Sequence, residues 1–169
     1  MKSVFKLVKI DKDYCNYLRK FDYRVTYNDG VKELRPFIGV LFSIDNIEYF
    51  ATLASPKPKH KQLKSNLDLI KIQGGNLGVV NLNNMIPVKL GLYEIIDLNP
   101  IGKEIDMQKR ISLLKKQLYW LNSKSDELML KAFTLHFRYC ENILPERLKN
   151  RCCNFPLLEE KCIEYNKKN

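Results

Sequence analysis

Apolar and polar positions along the chain change their period near residue 100. Before that point the apolar runs are short and either alternate or stand solid, as strands do; after it they recur every three or four residues, as on one face of a helix. Residues 4–10 alternate around Val4 and Leu7-Val8 and predict a strand. Asp11 or Asp13 can cap a helix whose stripe is Tyr14, Tyr17, Leu18 and Phe21. Phe37 to Phe42 is a solid apolar run, the signature of a strand buried on both faces. Asp45-Asn46 then serves as a two-residue hairpin turn into residues 47–53. Residues 68–72 predict a third strand, turned by Gly74-Gly75 into residues 77–82, with Met85-Ile86-Pro87-Val88 following as an edge segment. Beyond Pro100, Met107, Ile111, Leu114, Leu118 and Leu121 mark a helix, and Ser123 or Ser125 can cap a second over residues 126–141. Pro145 and Asn154-Phe155-Pro156 punctuate the rest before a short final helix over residues 157–165. The order of elements predicts an α+β fold: a compact, strongly twisted antiparallel sheet surrounded by helices, with a helical C-terminal part. With no linker or repeat, residues 1–169 are expected to form one domain, β-rich over 1–98 and helical over 100–167.

Charge narrows the partners. The chain carries 29 Lys and Arg against 19 Asp and Glu, a net charge of +10, which favours polyanions, with nucleic acid ahead of an acidic membrane. No apolar run reaches the roughly 18–20 residues of a bilayer span, and the start lacks a signal-peptide core. Five cysteines without a Cys-x-x-Cys pair fit reduced thiols, and hence a cytoplasmic protein. The two histidines, His60 and His136, form no zinc-spaced pair, and no glycine-rich loop cradles a nucleotide. No metal and no cofactor are therefore expected.

The most unusual stretch is Ser55-Pro56-Lys57-Pro58-Lys59-His60-Lys61-Gln62-Leu63-Lys64. It leaves a predicted buried strand, two prolines restrict its backbone, and residues 49–67 hold four lysines and no carboxylate. A rigid sheet presenting such a loop would focus positive potential on phosphates; a solvated charge run is the alternative. RNA brings its own nucleophile, the 2′-hydroxyl. Cutting it without a metal requires help in removing that proton, neutralisation of the crowded phosphate and a proton for the departing 5′-oxygen. Ser55, Lys57 and His60 include side chains able to do these jobs. Lys57 suits electrostatic stabilisation better than base work, and its tether between Pro56 and the strand end favours it over His60, which lies beyond Pro58 where the loop should be freer. His60 could titrate near neutrality or simply face solvent among the lysines. Arg35 precedes Pro36 and the solid apolar strand and could aim a guanidinium at a phosphate, while Tyr27 in the loop before it could stack on a base or bond a phosphate oxygen. His136, in Ala132-Phe133-Thr134-Leu135-His136-Phe137, reads as structural, and Cys152-Cys153 as packing.

Three ordered segments carry a family resemblance: Arg35-Pro36-Phe37-Ile38-Gly39-Val40, Tyr49 through Lys57, and Asn76 through Val88. Together with the Asp13–Asp22 helix they resemble the ToxN/AbiQ family, the protein toxins of type III toxin–antitoxin and phage-exclusion systems. The resemblance implies a metal-independent endoribonuclease related to the MazF/Kid toxin fold, leaving 2′,3′-cyclic phosphate and 5′-hydroxyl ends. It also implies, as partners, target mRNA and a repetitive small antitoxin RNA whose processed pseudoknots occupy the basic groove in a higher-order complex. In that family Ser55 and Lys57 match the loop residues for nucleophile activation and phosphate handling. Arg35 falls where a lysine is common, Tyr27 matches a loop tyrosine at a longer spacing, Lys32 is an alternative cation, and Ala54 stands where some relatives place a threonine. Asn76, Lys32, Lys59, His60, Lys61 and Lys64 complete the expected RNA-contacting set. Two other readings compete: a non-catalytic basic RNA-binding protein, and a DNA-binding repressor, for which no helix-turn-helix or ribbon motif is present.

Overall fold

The computed structural model describes residues 4–26 and 35–166, so Tyr27 and Lys32 lie outside the described residues. Strand β1 (Lys6–Ile10) leads into helix α1 (Lys12–Arg19). Of the two candidate caps the structure uses Asp11, whose carboxylate accepts the Tyr14 N–H at 3.0 Å. Strand β2 (Phe37–Gly39) is buried on both faces as its solid apolar run requires, but is shorter than the run itself. Strands β3 (Ser43–Ile44) and β4 (Ile47–Ala54) form the expected hairpin, with Asp45 taking the positive φ of 53° that its turn needs.

A five-residue helix, α2 (Pro58–Gln62), follows where a loop was expected. Pro58 at its first turn has no N–H to leave unpaired and its φ is already helical. Strand β5 (Leu69–Lys71), a 3-10 turn (Ile72–Gly75) and strand β6 (Val79–Lys89) come next, then strand β7 (Tyr93–Ile95), which the sequence pattern did not reveal. The sheet runs β5-β6-β4-β2-β1-β7, all pairs antiparallel, with β3 beside β4. Met85 to Val88 is no separate segment but the second half of the 11-residue β6. Pro87 fits there because β5 pairs only with Val79 to Asn81, which leaves the later half of β6 with β4 alone as its neighbour.

The helical half comprises α3 (Ile105–Ser123), α4 (Ser125–Cys140), α5 (Glu146–Arg151) and α6 (Phe155–Glu164). Neither serine caps α4. Lys124 alone separates α3 from α4, and the Ser123 hydroxyl turns back to donate to Trp120 O. These helices are tied to the N-terminal half by polar contacts as well as by packing. Asn122 accepts the N–H groups of Val4 and Phe5, Cys153 N–H donates to Asn83 O, and Asn154 N–H donates to buried Asp22. Tyr14, Tyr49, Phe5, Phe37, Phe50 and Phe155 are the largest wholly buried side chains of the core. Among the described residues no helix is long and apolar enough to cross a membrane.

Candidate active site

One end of the sheet gathers the candidate residues, and strand register does the gathering. Phe37 pairs with Thr52, and Leu53 N–H donates to Pro36 O, so the backbone of Arg35 comes beside Ala54 at the end of β4. On the other side Ala54 pairs with Val79, and Val79 with Lys71. Ser55-Pro56-Lys57 therefore leaves the sheet where β2 begins, β6 begins and β5 ends.

Glycine makes this junction tight. A Cβ on Gly78 (φ 101°) would lie 2.0 Å from Ala54 O, and one on Gly75 (φ 96°) would lie 2.6 Å from His60 O. Both positions combine a left-handed backbone with close approach of another chain segment, so no other residue fits without moving it. The seam carries Asn76 to the surface beside the Ser55–Lys61 segment, and Gln117 of α3 holds it from behind by donating to Leu77 O at 2.7 Å.

Within the segment the backbone is pinned while most side chains stay in water. Ser55, Lys57, Lys59, Lys61 and Lys64 are exposed. Lys71 Nζ donates to Lys61 O and Leu63 O, both at 2.9 Å, and so fastens the end of α2 onto β5. His60 departs from the expectation of a freer loop, being only 3% exposed. Its Nδ1 accepts the Lys57 N–H at 3.0 Å, and its own N–H donates to Lys57 O at 2.9 Å. The bond to Nδ1 is the half of a capping box made by the third helical residue, with an imidazole in the usual place of Glu or Gln; the other bond goes to the Lys57 backbone carbonyl, since a lysine side chain cannot accept. An accepting Nδ1 puts the proton of the neutral ring on Nε2. Burial, and then the neighbouring charges of Lys59 and Lys57, hold the His60 pKa below its ordinary value, so the neutral ring is the form that fits. His60 thus sits under the surface as the anchor of Lys57 instead of facing solvent among the lysines.

Arg35 is half-buried and lines a groove of about 380 Å³ between β7 and α3, with Lys9, Glu94, Asp97 and Arg110 also on its walls. The sheet brings its backbone beside Ala54, so Arg35 stands between that groove and the start of the Ser55–Lys57 segment.

A second cluster of reactive residue types lies elsewhere. His136 Nε2 is 2.6 Å from Glu159 Oε1, and the Tyr49 hydroxyl donates to the same oxygen at 2.5 Å. Burial pushes the Glu159 carboxyl up, but the bonds from His136 and Tyr49 outweigh it and hold the carboxyl below its ordinary value. Burial, then Glu159, push the Tyr49 phenol well up. Cys140 Sγ stands 3.9 and 3.8 Å from the two ring nitrogens of His136, nearly equidistant, so the thiol is aligned with neither. Burial also pushes that thiol up, the reverse of what a nucleophile needs. Phe42, Tyr49 and Phe155 pack around the ring. The expectation of a structural His136 agrees with this geometry. Cys152 and Cys153 are wholly buried, as packing residues are.

Among the described residues no group of three or more His, Cys, Asp or Glu is placed to hold a metal ion. Two contributors escaped the sequence reading: Lys71, which holds α2, and the Gly75–Gly78 seam. The density of glycine in Gly74-Gly75-Asn76-Leu77-Gly78 was a usable signal for the seam; an isolated strand lysine was not.

Residues 6–163 match the family described as toxin ToxN of type III toxin–antitoxin systems. The chain belongs to the ToxN toxin family. Endoribonuclease ToxN of Pectobacterium atrosepticum is similar at 32% identity, over 96% of this chain and 94% of the relative. Two solved structures superpose on it with TM-score 0.80. One, from a bacterial antiviral system regulated by a processed non-coding RNA, is 29% identical, covering 96% of this chain and 99% of its own. The other, a type III toxin selectively inhibited by a non-coding RNA pseudoknot, is 28% identical, covering 98% and 99%.

Proposed function

We infer that this chain is an endoribonuclease toxin that cuts cellular or phage RNA without a metal ion and is restrained by a repetitive small antitoxin RNA, which it also processes. The observation that carries the reading is the junction itself: exposed Ser55 and Lys57 on a backbone fixed by the sheet end, the glycine seam and His60, in a chain of the ToxN family. The endoribonuclease name of its relative and the RNA-regulated systems of its structural neighbours point to the same chemistry.

The reaction is a transesterification. The substrate's 2′-oxygen attacks the adjacent phosphorus, the bond from phosphorus to the 5′-oxygen breaks, and the departing oxygen takes up a proton, leaving a 2′,3′-cyclic phosphate and a 5′-hydroxyl. Lys57 stabilises the charge that builds on the phosphate, a role suited to a cation held at a fixed backbone position. Ser55 hydrogen-bonds the reacting groups and orients the 2′-hydroxyl. Arg35 supplies a second cation, Tyr27 a phosphate bond or a stacking surface, and Lys32 an alternative cation. Lys59, Lys61 and Lys64 attract the strand, and Asn76 meets it at the seam. His60, assigned above to contact RNA, acts from beneath by holding Lys57. The site's donor set, cations and hydroxyls with no carboxylate over residues 49–67, suits phosphate binding better than metal binding.

The chain works in the cytoplasm and forms one domain, a reading supported by α6 packing on β6 and by the Cys153 N–H bond to Asn83 O. Its curved antiparallel sheet fits the MazF/Kid-type toxin fold, which superposition on a member of that fold tests. The antitoxin RNA bridges toxin copies in the inhibited state, and the system serves phage defence. Cleavage in excess EDTA, with cyclic-phosphate ends, tests the mechanism; activity that dies in EDTA and returns with a divalent ion would overturn the metal-free route. A folded protein that binds RNA tightly but never cuts it would return the chain to the non-catalytic RNA-binding reading.

A further inference from the structure

Helix α4 turns Leu128, Ala132, Leu135 and His136 into the protein and leaves an apolar stripe on its opposite face. Leu130, Phe133 and Phe137 follow one another at helical spacings of three and four, and they are 67%, 47% and 49% exposed. The outward face of an amphipathic helix is ordinarily polar, so a stripe there marks a surface that another molecule covers. We propose that this face is a self-association surface, on which two copies of the chain pack α4 against α4, antiparallel, about a two-fold axis beside Phe133. The proposal does not depend on the cutting of RNA, and α4 holds none of the residues assigned above to the RNA site.

The stripe is formed before any partner arrives. Phe42 packs edge-on against Phe133, with 5.7 Å between ring centroids, and Phe137 lies 6.4 Å from Phe133 with 20° between the ring planes. Side chains already placed in this way lower the ordering cost of association.

Charge selects the partner. Asp126, Glu127, Arg138 and Glu141 are exposed along the helix, with exposed Lys124 at its head, so carboxylates outnumber cations here in a chain of net charge +10. RNA or an anionic bilayer gains nothing from such a surface. A second copy does, because the pattern is self-complementary. Leu130 stands three residues before Phe133 and Phe137 four after it; Glu127 stands six before and Arg138 five after. Reversing one helix on the other about Phe133 sets Leu130 against the partner's Phe137 and Glu127 against the partner's Arg138, and the two-fold repeats each pair. Glu127 and Arg138 lie only about 20° apart around the helix axis, on one flank of the stripe, and a two-fold brings like flanks together. Neither has an ion-pair partner among the described residues. Lys131, one turn from Glu127, is instead turned onto Leu69 O at 2.9 Å.

Size sets the strength. A 16-residue helix is about 24 Å long and 10 Å wide, and one such face falls short of the roughly 800 Å² per partner of a standard stable interface. The dimer is therefore a transient one of micromolar strength.

The test uses the full-length Lys57→Ala chain after ribonuclease treatment, so that no RNA bridges the copies. Sedimentation velocity between about 5 and 500 µM should show monomer passing into dimer. Glu127→Arg and Arg138→Glu, both at exposed positions, should each raise the Kd at least about tenfold, and mixing the two variants should restore dimers, because every contact of the mixed pair joins opposite charges. Leu130→Gln should weaken the dimer with the melting temperature unchanged. Asp126, seven residues before Phe133, is set against the partner's Cys140, seven after. Asp126→Cys treated with diamide should therefore give a covalent dimer that a reductant reverses, while the parent gives none. Within one chain the two positions are about 21 Å apart along the helix, too far for a disulfide. A chain that stays monomeric throughout and gives no cross-link overturns the proposal, as do dimers indifferent to the charge reversals. A monomeric parent whose binding to phosphatidylglycerol vesicles or to single-stranded RNA is lost in Leu130→Gln also overturns it, and gives the face to a membrane or to RNA.

Discussion

Two clusters of reactive side chains lie in this protein, and they are built in opposite ways. Around His136 the side chains satisfy one another: imidazole and phenol both bond the Glu159 carboxylate within 2.6 Å, aromatic rings pack against the imidazole, and the pKa of the nearby thiol is pushed up. Around Lys57 the backbone is satisfied and the side chains are not. His60, Lys71 and two glycines fix the chain path, while Ser55, Lys57, Lys59 and Lys61 project into solvent. A histidine, a glutamate and a cysteine in contact look more like an active site than a run of lysines does. What separates the two is where spare hydrogen-bonding capacity remains. A site must have it in order to meet a substrate; a structural network has used it up.

The largest expected effect tests the exposed cluster. Lys57→Ala should lower the single-turnover cleavage rate at saturating enzyme by at least about 100-fold, the scale seen when one charge-stabilising donor is removed. Folding stability should move by no more than about 0.5 kcal/mol, because the side chain is in water. Near-normal cutting by this variant would erase the contrast between the clusters.

The buried cluster should behave in reverse. Tyr49→Phe removes one partner of Glu159 and should cost about 1–3 kcal/mol of stability in denaturant titrations, with the chemical rate of the folded protein unchanged. Since the Glu159 carboxyl is held below its ordinary value of about 4.3, its contribution to stability is complete above that value and is lost as pH falls through the lower, folded-state value. Wild-type protein should therefore lose more stability than Glu159→Gln between about pH 5 and pH 3. Parallel acid titrations of the two would remove the carboxylate from its structural role.

His60 links the two modes of construction, being buried like the second cluster and serving the first. His60→Ala should slow single-turnover cleavage about tenfold, or ~1.4 kcal/mol of barrier, by loosening Lys57. The salt slope of RNA binding should stay unchanged, because the ring is not at the surface. Its pKa is depressed, so the stability it contributes is present above the ordinary value of about 6.5 and fades as pH falls from there through the folded-state value. A flatter salt slope in this variant would show that the imidazole meets phosphate directly. Smallest of all, neutralising Lys59, Lys61 or Lys64 singly should flatten that slope by up to about one unit each, with little change in the rate at saturation. A lysine that leaves the slope unchanged is a solvated charge.

Local pattern made most of this architecture legible in advance. The Asp11 cap, the double-sided burial of Phe37 to Gly39, the Asp45 turn and the long periodic helices follow from signals contained within a few residues. The missed elements depend on distant neighbours. β7 is three residues long and exists because β1 offers it an edge, and α5 is a six-residue helix held between Pro145 and the buried Cys152. At the site, Ser55 and Lys57 stood out because prolines and lysines cluster around them. The burial of His60 did not, because a ring among lysines carries no local mark of the bond it makes to the Lys57 N–H or of the Gly75 backbone packed against its own. Lys71 was invisible for the same reason, since its role comes from cross-strand placement beside α2.

The glycine seam also bears on how such a toxin diversifies. At Gly78 any side chain would collide with the Ala54 carbonyl, and at Gly75 with that of His60, so heritable change at the junction is closed off at its backbone. The surrounding exposed positions, Lys59, Lys61 and Lys64, tolerate substitution without disturbing it. Lineages of this protein can then exchange these exposed residues while inheriting the backbone path of the junction intact.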